Sequence, residues 1–313
     1  MSSPKQYQIY LSRCQDPYTN LAFENWLFQN KVTDQPIPYL WQNKPCVIIG
    51  RAQNPWLECH LSELEKDGLE VIRRQSGGGT VYHDLGNLNY TFLCPNSQYD
   101  KAKNLKTIID GLALLKIHAS ISPRNDIMVN DLNNEPRKIS GCAFRETKHK
   151  SFHHGTLLIN ADTSSLSRYL HHKQDSTINA KGVTSVRSKV TNLSEINNIK
   201  DTSLYESALI KAFCQNFNAT NSNVKQISQS EILALNDISE EIKILRSKEW
   251  CFGKTLPFEQ TISIKNMKLQ LSIRKGYIES YQLFAGNSQE LRLLQEWLNT
   301  KPAYSMTTLY SKT

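Results

Sequence analysis

Apolar residues along the chain follow two rhythms. Tyr7-Gln8-Ile9-Tyr10-Leu11 alternates with period two and predicts a strand. Thr19 and Asn20 then offer caps to a helix over 21–28 that is apolar nearly all round except at Glu24 and Asn25. Such a helix is expected to be deeply buried, so the Glu24 carboxylate needs a partner. Short strands follow at 39–41 and 46–50 around an Asn-Lys-Pro turn, then a polar helix over 61–66 and a strand over 69–73. Residues 88–92 alternate as a half-buried strand, and 106–117 carries Ile108, Ile109, Leu112 and Leu115 on one helical stripe. A strand at 127–129, a turn-rich tip over 130–136 and a return strand over 138–144 form a hairpin, with a further strand at 156–159. Residues 204–217 read as an amphipathic helix and the polar 218–229 as a loop. After about 245 the character changes to three strands (261–264, 269–273, 277–281) joined by short turns. A helix over 288–299 follows, with Leu291, Leu294, Trp297 and Leu298 inward. The expected architecture is α+β, with a large unit over 1–244 and a small one over 245–313.

Composition narrows the class. The 313 residues are 39% hydrophobic and 21% charged, which excludes a disordered chain. No apolar run approaches the ~18–20 residues of a membrane span. The first six residues carry neither the apolar core of a secretory signal nor an Arg-rich presequence, so an intracellular soluble protein is expected. Seven scattered Cys, none spaced C-x-x-C, argue against a disulfide framework and a Cys-based zinc site. Lys plus Arg (37) exceed Asp plus Glu (29) by eight, but the excess is spread without a basic block, which disfavours nucleic acid.

The chemistry concentrates in Arg73-Arg74-Gln75-Ser76-Gly77-Gly78-Gly79-Thr80-Val81-Tyr82-His83-Asp84. Three glycines between strands are either a tight turn or a loop whose N–H groups approach an anion. Arg73 and Arg74 can meet phosphate oxygens in a forked geometry. The loop is neither a Walker A nor a dinucleotide fingerprint, because no helix follows it. His83 and Asp84 are neighbours on a strand and point to opposite faces, so they order the loop rather than form a dyad. Lys138 is either a snorkelling surface lysine or a fixed ammonium at developing negative charge. The tandem His153-His154 invites a metal reading, but no Cys or carboxylate spacing supports it.

Together these stretches resemble the lipoate–protein ligase A and lipoyltransferase family. The matching residues begin with Asp16-Pro17-Tyr18, Asn20-Leu21-Ala22 and Glu24, then Gly50-Arg51-Ala52-Gln53-Asn54-Pro55-Trp56 with Glu58-Cys59, and the glycine-rich segment through Gly86-Asn87. They continue through Arg124-Asn125-Asp126, Lys138-Ile139-Ser140-Gly141, Phe152-His153-His154-Gly155, Lys181-Gly182 with Thr184-Ser185-Val186-Arg187-Ser188, and Val190-Thr191-Asn192-Leu193. Trp250, Gly253, Pro257 and Phe258 resemble the start of the family's small C-terminal domain.

The resemblance implies a fold like that of biotin–protein ligases, with a mixed sheet, packed helices and an accessory domain. It implies ATP, Mg²⁺ and lipoate, which react to lipoyl-AMP and pyrophosphate. The lipoyl group then passes to a lysine on lipoyl domains of 2-oxo acid dehydrogenase E2 subunits or the glycine cleavage H protein. Lys138 matches the family's catalytic lysine, bridging the acyl carboxyl and the α-phosphate. Arg74, Gly79, Thr80, Val81 and Tyr82, together with Lys138, match the ATP segment. Leu21, Glu24, Trp41, Ser76, Gly77, Gly78, His83, Asn87, Arg145 and His154 match the lipoate pocket, again with Lys138, and Asp126 is a candidate metal ligand. The implied protein is a cytoplasmic or mitochondrial-matrix monomer that binds neither nucleic acid nor membrane. A lipoyltransferase that accepts preformed lipoyl-AMP is the alternative. An octanoyltransferase-like Cys142 nucleophile is a third reading.

Overall fold

A six-stranded sheet organises the larger part of the protein. The computed structural model describes residues 7–305 except 33, 171–176, 220–223, 265–266 and 286–287, and the side chains of 264, 285, 288–291 and 293 also lie outside the description. The reading of the first six residues and the inward placing of Leu291 therefore fall outside it. In spatial order the strands are Cys142–Glu146, Lys150–Leu158, Asn87–Pro95, Ile37–Trp41, Ile9–Ser12 and Val224–Ile227. The first four are antiparallel, and the last two join in parallel.

Strand alternation gives the sheet two apolar faces. Leu88, Tyr90, Phe92 and Leu157 meet the helices Lys101–Leu114 and Thr202–Phe217 on one side. Tyr39, Trp41, Leu93 and Phe152 meet the helix Pro17–Asn30 on the other. That helix starts earlier than the expected Thr19-Asn20 cap. Asp16 accepts the Thr19 N–H at 2.9 Å, and Pro17 takes the first turn, where no N–H is needed. Asn20 instead lies inside the helix, and its side-chain amide donates to Cys14 O at 2.9 Å and Gln42 O at 2.8 Å.

Three further expectations change. The predicted 138–144 strand breaks at Gly141. Pro136–Ser140 joins Ala119–Ile121 and Ile127–Asn130 in a small sheet, while Cys142–Glu146 joins the large one. A Cβ at 141 would stand 3.1 Å from Lys138 Nζ, so the glycine leaves that side chain its place. The 156–159 strand is the end of the longer Lys150–Leu158, whose His153-His154-Gly155 interrupts the apolar pattern. The polar 218–229 stretch holds an edge strand, Val224–Ile227, and the start of the helix Gln229–Leu233. An edge strand buries little, so it leaves little apolar signal.

A third sheet, Glu70–Arg73, Cys46–Ile49 and Val81–His83, carries the glycine-rich loop between its strands. A fourth contains Ile178–Ala180, Phe258–Ile264, Met267–Arg274 and Tyr277–Ala285. Its core takes in Leu294, Leu298, Tyr304 and, from far upstream, Trp56. The expected boundary at 244/245 falls inside the helix Ile238–Arg246, whose Ile238 and Leu245 share a core with the Pro17–Asn30 helix.

Arg73 joins these parts. It is fully buried, and its guanidinium donates to the carbonyls of Arg51 (2.9 Å), Gln53 (2.7 Å) and Cys251 (2.9 Å) and to the Thr255 hydroxyl (2.9 Å). The forked donors suit several carbonyls at once. Arg73 is thus turned inward onto backbone rather than towards a phosphate. Replacing Arg73 with Met strands these acceptors in the interior. The expected loss is on the order of 3 kcal/mol, read as a lower urea midpoint with an unchanged slope.

Candidate active site

A cleft of about 250 Å³ lies where the large sheet, the Pro17–Asn30 helix and the small glycine-loop sheet meet. Leu21 comes from the helix, and Trp41, Asn89, Ala143 and His154 from the large sheet. Ile48, Val81 and His83 come from the glycine-loop sheet. This part is a largely apolar slot, suited to an alkyl chain. The other part is polar, with Arg124, Asp126, Lys138, Thr156 and residues 183–186 around it.

Behind the slot runs a buried chain of hydrogen bonds. The Trp41 indole donates to Thr91 Oγ1 at 3.1 Å, and Thr91 donates to Glu24 Oε1 at 2.7 Å. The same oxygen faces His154 Nδ1 at 2.9 Å. With the Nδ1 proton on Glu24, His154 Nε2 accepts from Ser76 Oγ at 2.8 Å. Ser76 in turn accepts from Arg74 Nε at 2.9 Å. Arg74 Nη2 holds the carbonyls of Gly77 (2.5 Å) and Gly79 (2.7 Å). In a planar trans peptide the next N–H points the opposite way. The N–H groups of Gly78 and Thr80 therefore turn away from Arg74, and that of Thr80 reaches Ser185 Oγ at 2.9 Å. Burial lowers the Arg74 pKa to about 10, with Glu24 opposing the shift, so the guanidinium stays charged at neutral pH beneath the loop. Gly50 allows this close approach, since a Cβ there would collide with Gly78 O.

Lys138 stands at the polar end. Its Nζ lies 2.8 Å from Asp126 Oδ1, and both side chains keep partial exposure. The 189–191 backbone supports it, with Lys138 N–H donating to Lys189 O at 2.9 Å. Cys142 lines the same end, but its Sγ donates to Asn125 O at 3.1 Å, and burial followed by Asp126 pushes the thiol up to about 12. A thiol held so is a poor nucleophile at neutral pH. No cluster of three or more His, Cys, Asp or Glu with metal-holding geometry occurs among the described residues.

The family model of the lipoyl protein ligase A/B catalytic domain matches residues 16–218. The chain belongs to this family. A lipoate-protein ligase A of Psychrobacter cryohalolentis is 37% identical over 93% of this chain and 87% of its own length. The crystal structure of P. falciparum LipL1 in complex with lipoate has a TM-score of 0.67 and 30% identity, covering 98% of this chain and 94% of that one. A lipoate-protein ligase A crystal structure bound with ATP shares the fold, with a TM-score of 0.61 and 23% identity over 76% of this chain and 93% of that one.

Within this lipoate–protein ligase frame, the residues expected at the pocket separate into two tiers. Leu21, Trp41, Gly78, His83, Lys138 and His154 line the cleft, as do Arg74, Gly79, Thr80, Val81 and Asp126. Glu24 and Ser76 stand behind the lining and hold His154. Gly77 gives its carbonyl to Arg74. Asn87 is buried and donates to Asn89 Oδ1 at 3.2 Å, so it acts on the cleft through Asn89. Arg145 lies over the Phe28 ring at 5.0 Å, outside the lining. The Tyr82 side chain faces the opposite side of its strand and packs on Tyr169. Gln53, Glu58 and Ser185 were not singled out from the sequence, although they gather around Thr80. Their signal is the bare motif match, which names residues without roles.

The tandem histidines point to opposite faces, which removes a joint metal site. His153 stacks on Phe144 at 4.7 Å in the helix-side core, and His154 faces the cleft. Asp84 fits the loop-ordering role, accepting the N–H groups of Gly86 (2.8 Å) and Asp162 (2.7 Å). Burial lowers the pKa of His83 and of His153 to about 3. An unfolded imidazole titrates near 6.5, so the unfolded chain takes up these protons first as pH falls. The stability they contribute is complete above about pH 6.5 and declines towards pH 3. The urea midpoint is therefore expected to be lower at pH 5 than at pH 7.5, and His153→Phe should flatten that difference.

Proposed function

We propose that the chain is a lipoate–protein ligase that makes lipoyl-AMP from lipoate and ATP and passes the lipoyl group to a lysine of a lipoyl domain. The observation that carries this reading is the Lys138 ammonium, placed where an apolar slot meets the glycine-rich loop. The slot takes the hydrocarbon and dithiolane, and leaves the carboxylate at the polar end. The relatives agree in kind, since one solved neighbour holds lipoate and another ATP.

Lys138 draws the lipoate carboxylate and the α-phosphate together and counters the charge that develops as the carboxylate oxygen attacks phosphorus. The acid–anhydride bond forms, the bond to the leaving pyrophosphate breaks, and lipoyl-AMP results. The Arg74 charge beneath the loop adds to the same positive field. Mg²⁺ takes few protein ligands when phosphates and water supply the rest. Asp126 is the carboxylate that would hold it, and the ion would neutralise phosphate charge. Transfer then needs only a deprotonated acceptor amine at the carbonyl. E2 lipoyl domains and the glycine cleavage H protein are the proposed acceptors.

Incubation with lipoate, ATP, Mg²⁺ and an apo lipoyl domain, followed by mass spectrometry of the domain, tests this. Lipoylation is expected, falling on the order of 10²–10³-fold in Lys138→Ala. Modification with lipoyl-AMP but not with lipoate and ATP would instead identify a lipoyltransferase. Cys142→Ser should keep turnover within about threefold, because no thioester forms at so weakly acidic a thiol.

A further inference from the structure

The slot is largely apolar, yet two of its wall residues carry buried nitrogens that meet no hydrogen-bond partner among the described residues. They are Nε2 of the His83 ring and Nδ2 of Asn89. The two side chains are nearly inaccessible, at 3% and 1% exposure. Both flank the same indole. Asn89 pairs with Trp41 in strand register, and the His83 ring meets the Trp41 ring edge-on with centroids 5.9 Å apart.

The tautomer of His83 follows from a chain of amides. Asn20 Nδ2 donates to the carbonyls of Cys14 (2.9 Å) and Gln42 (2.8 Å), which identifies it as the nitrogen that meets Asn43 Oδ1 at 3.0 Å. Asn43 is fully buried, and its Nδ2 donates to His83 Nδ1 at 3.1 Å. Nδ1 is thus an acceptor. Burial holds the ring neutral, with a pKa of about 3, so its one N–H proton sits on Nε2. That donor lies across the ring from Asn43, in a side chain that lines the slot. Asn89 is fixed in the same sense, because its Oδ1 accepts from Asn87 Nδ2 at 3.2 Å and leaves its own Nδ2 as the free end.

A buried donor without an acceptor is costly. A ligand that brings an acceptor removes the cost, and one that brings only carbon leaves it in place. An acyl chain whose carboxylate stays at Lys138 delivers only carbon to these donors unless it ends in a dithiolane, whose two sulfurs accept weakly. We propose that His83 and Asn89 form a dithiolane subsite beside Trp41 that selects lipoate over octanoate, the straight-chain acid of the same length without sulfur. This rests on the ligase reading above, in which the slot takes the acyl tail.

Calorimetric titration with lipoate and with octanoate, in the absence of ATP, tests the subsite. Wild type should bind lipoate the more tightly. His83→Phe keeps a ring and removes the donor, and Asn89→Leu removes the amide. Each should lower the ratio of the two affinities about fivefold, the net value of one hydrogen bond, with octanoate held within about twofold. His83→Gln, whose amide nitrogen can take the place of Nε2, should keep the wild-type ratio within about twofold. In wild type, nitrogen NMR should find the His83 ring proton on Nε2, and lipoate but not octanoate should move its signal downfield. A ratio unchanged in either apolar variant, a ring proton on Nδ1, or an equal response of that proton to both acids overturns the proposal. Wild type that binds neither acid would strike the ligase reading itself, and the subsite with it.

Discussion

Glu24 brings a carboxylate into the interior of an otherwise apolar helix, and the surroundings of the cleft are arranged to hold it. Thr91 and His154 meet one oxygen, and the contact passes through Ser76 to Arg74. A buried charge without partners would be strongly unfavourable, while one within a complete chain of donors and acceptors fixes geometry. Here the chain fixes three separate elements against one another: the Pro17–Asn30 helix, the Lys150–Leu158 strand and the glycine-rich loop. The shape of the slot follows from that arrangement.

Adjacent arginines take different duties because a strand ends between them. Arg73, the last residue of its strand, faces the interior and gathers carbonyls from 50–53 and from Cys251. Arg74, just beyond it, lies under the glycines and turns their carbonyls inward. One cation joins segments distant in sequence, and the other shapes the loop and sets its potential. Both depend on the fork of donors that a lysine lacks.

The polar end of the cleft is more open than the slot. Lys138 and Asp126 both keep partial solvent contact, and residues 181–189 beside them are largely exposed. That contrast suits a site that must grip an apolar tail and still admit a macromolecular amine. A buried hydrogen-bond network stands behind the slot, whereas residues 181–189 at the polar end lie largely at the surface.

Local pattern in the sequence determined much of the framework. An apolar run marked the Pro17–Asn30 helix and alternation marked the three C-terminal strands; alternation also marked Asn87–Pro95, but that strand is buried on both faces rather than the expected one, because helices cover each side of the sheet. The glycine loop stood out as chemistry, and ordered motifs marked the family and, through it, Lys138. Other features were decided by contacts between distant residues. The break at Gly141 reflects which sheet each half joins, and the Val224–Ile227 edge strand is held by main-chain bonds to one neighbour. The opposed duties of Arg73 and Arg74 depend on carbonyls up to about 180 residues away. The same holds for the partner of Glu24, 130 residues along, and for the Ser185–Glu58 contact, 127 residues apart. Periodicity records which face of an element is buried, whereas the partner that a buried polar group meets is set only when the chain has packed.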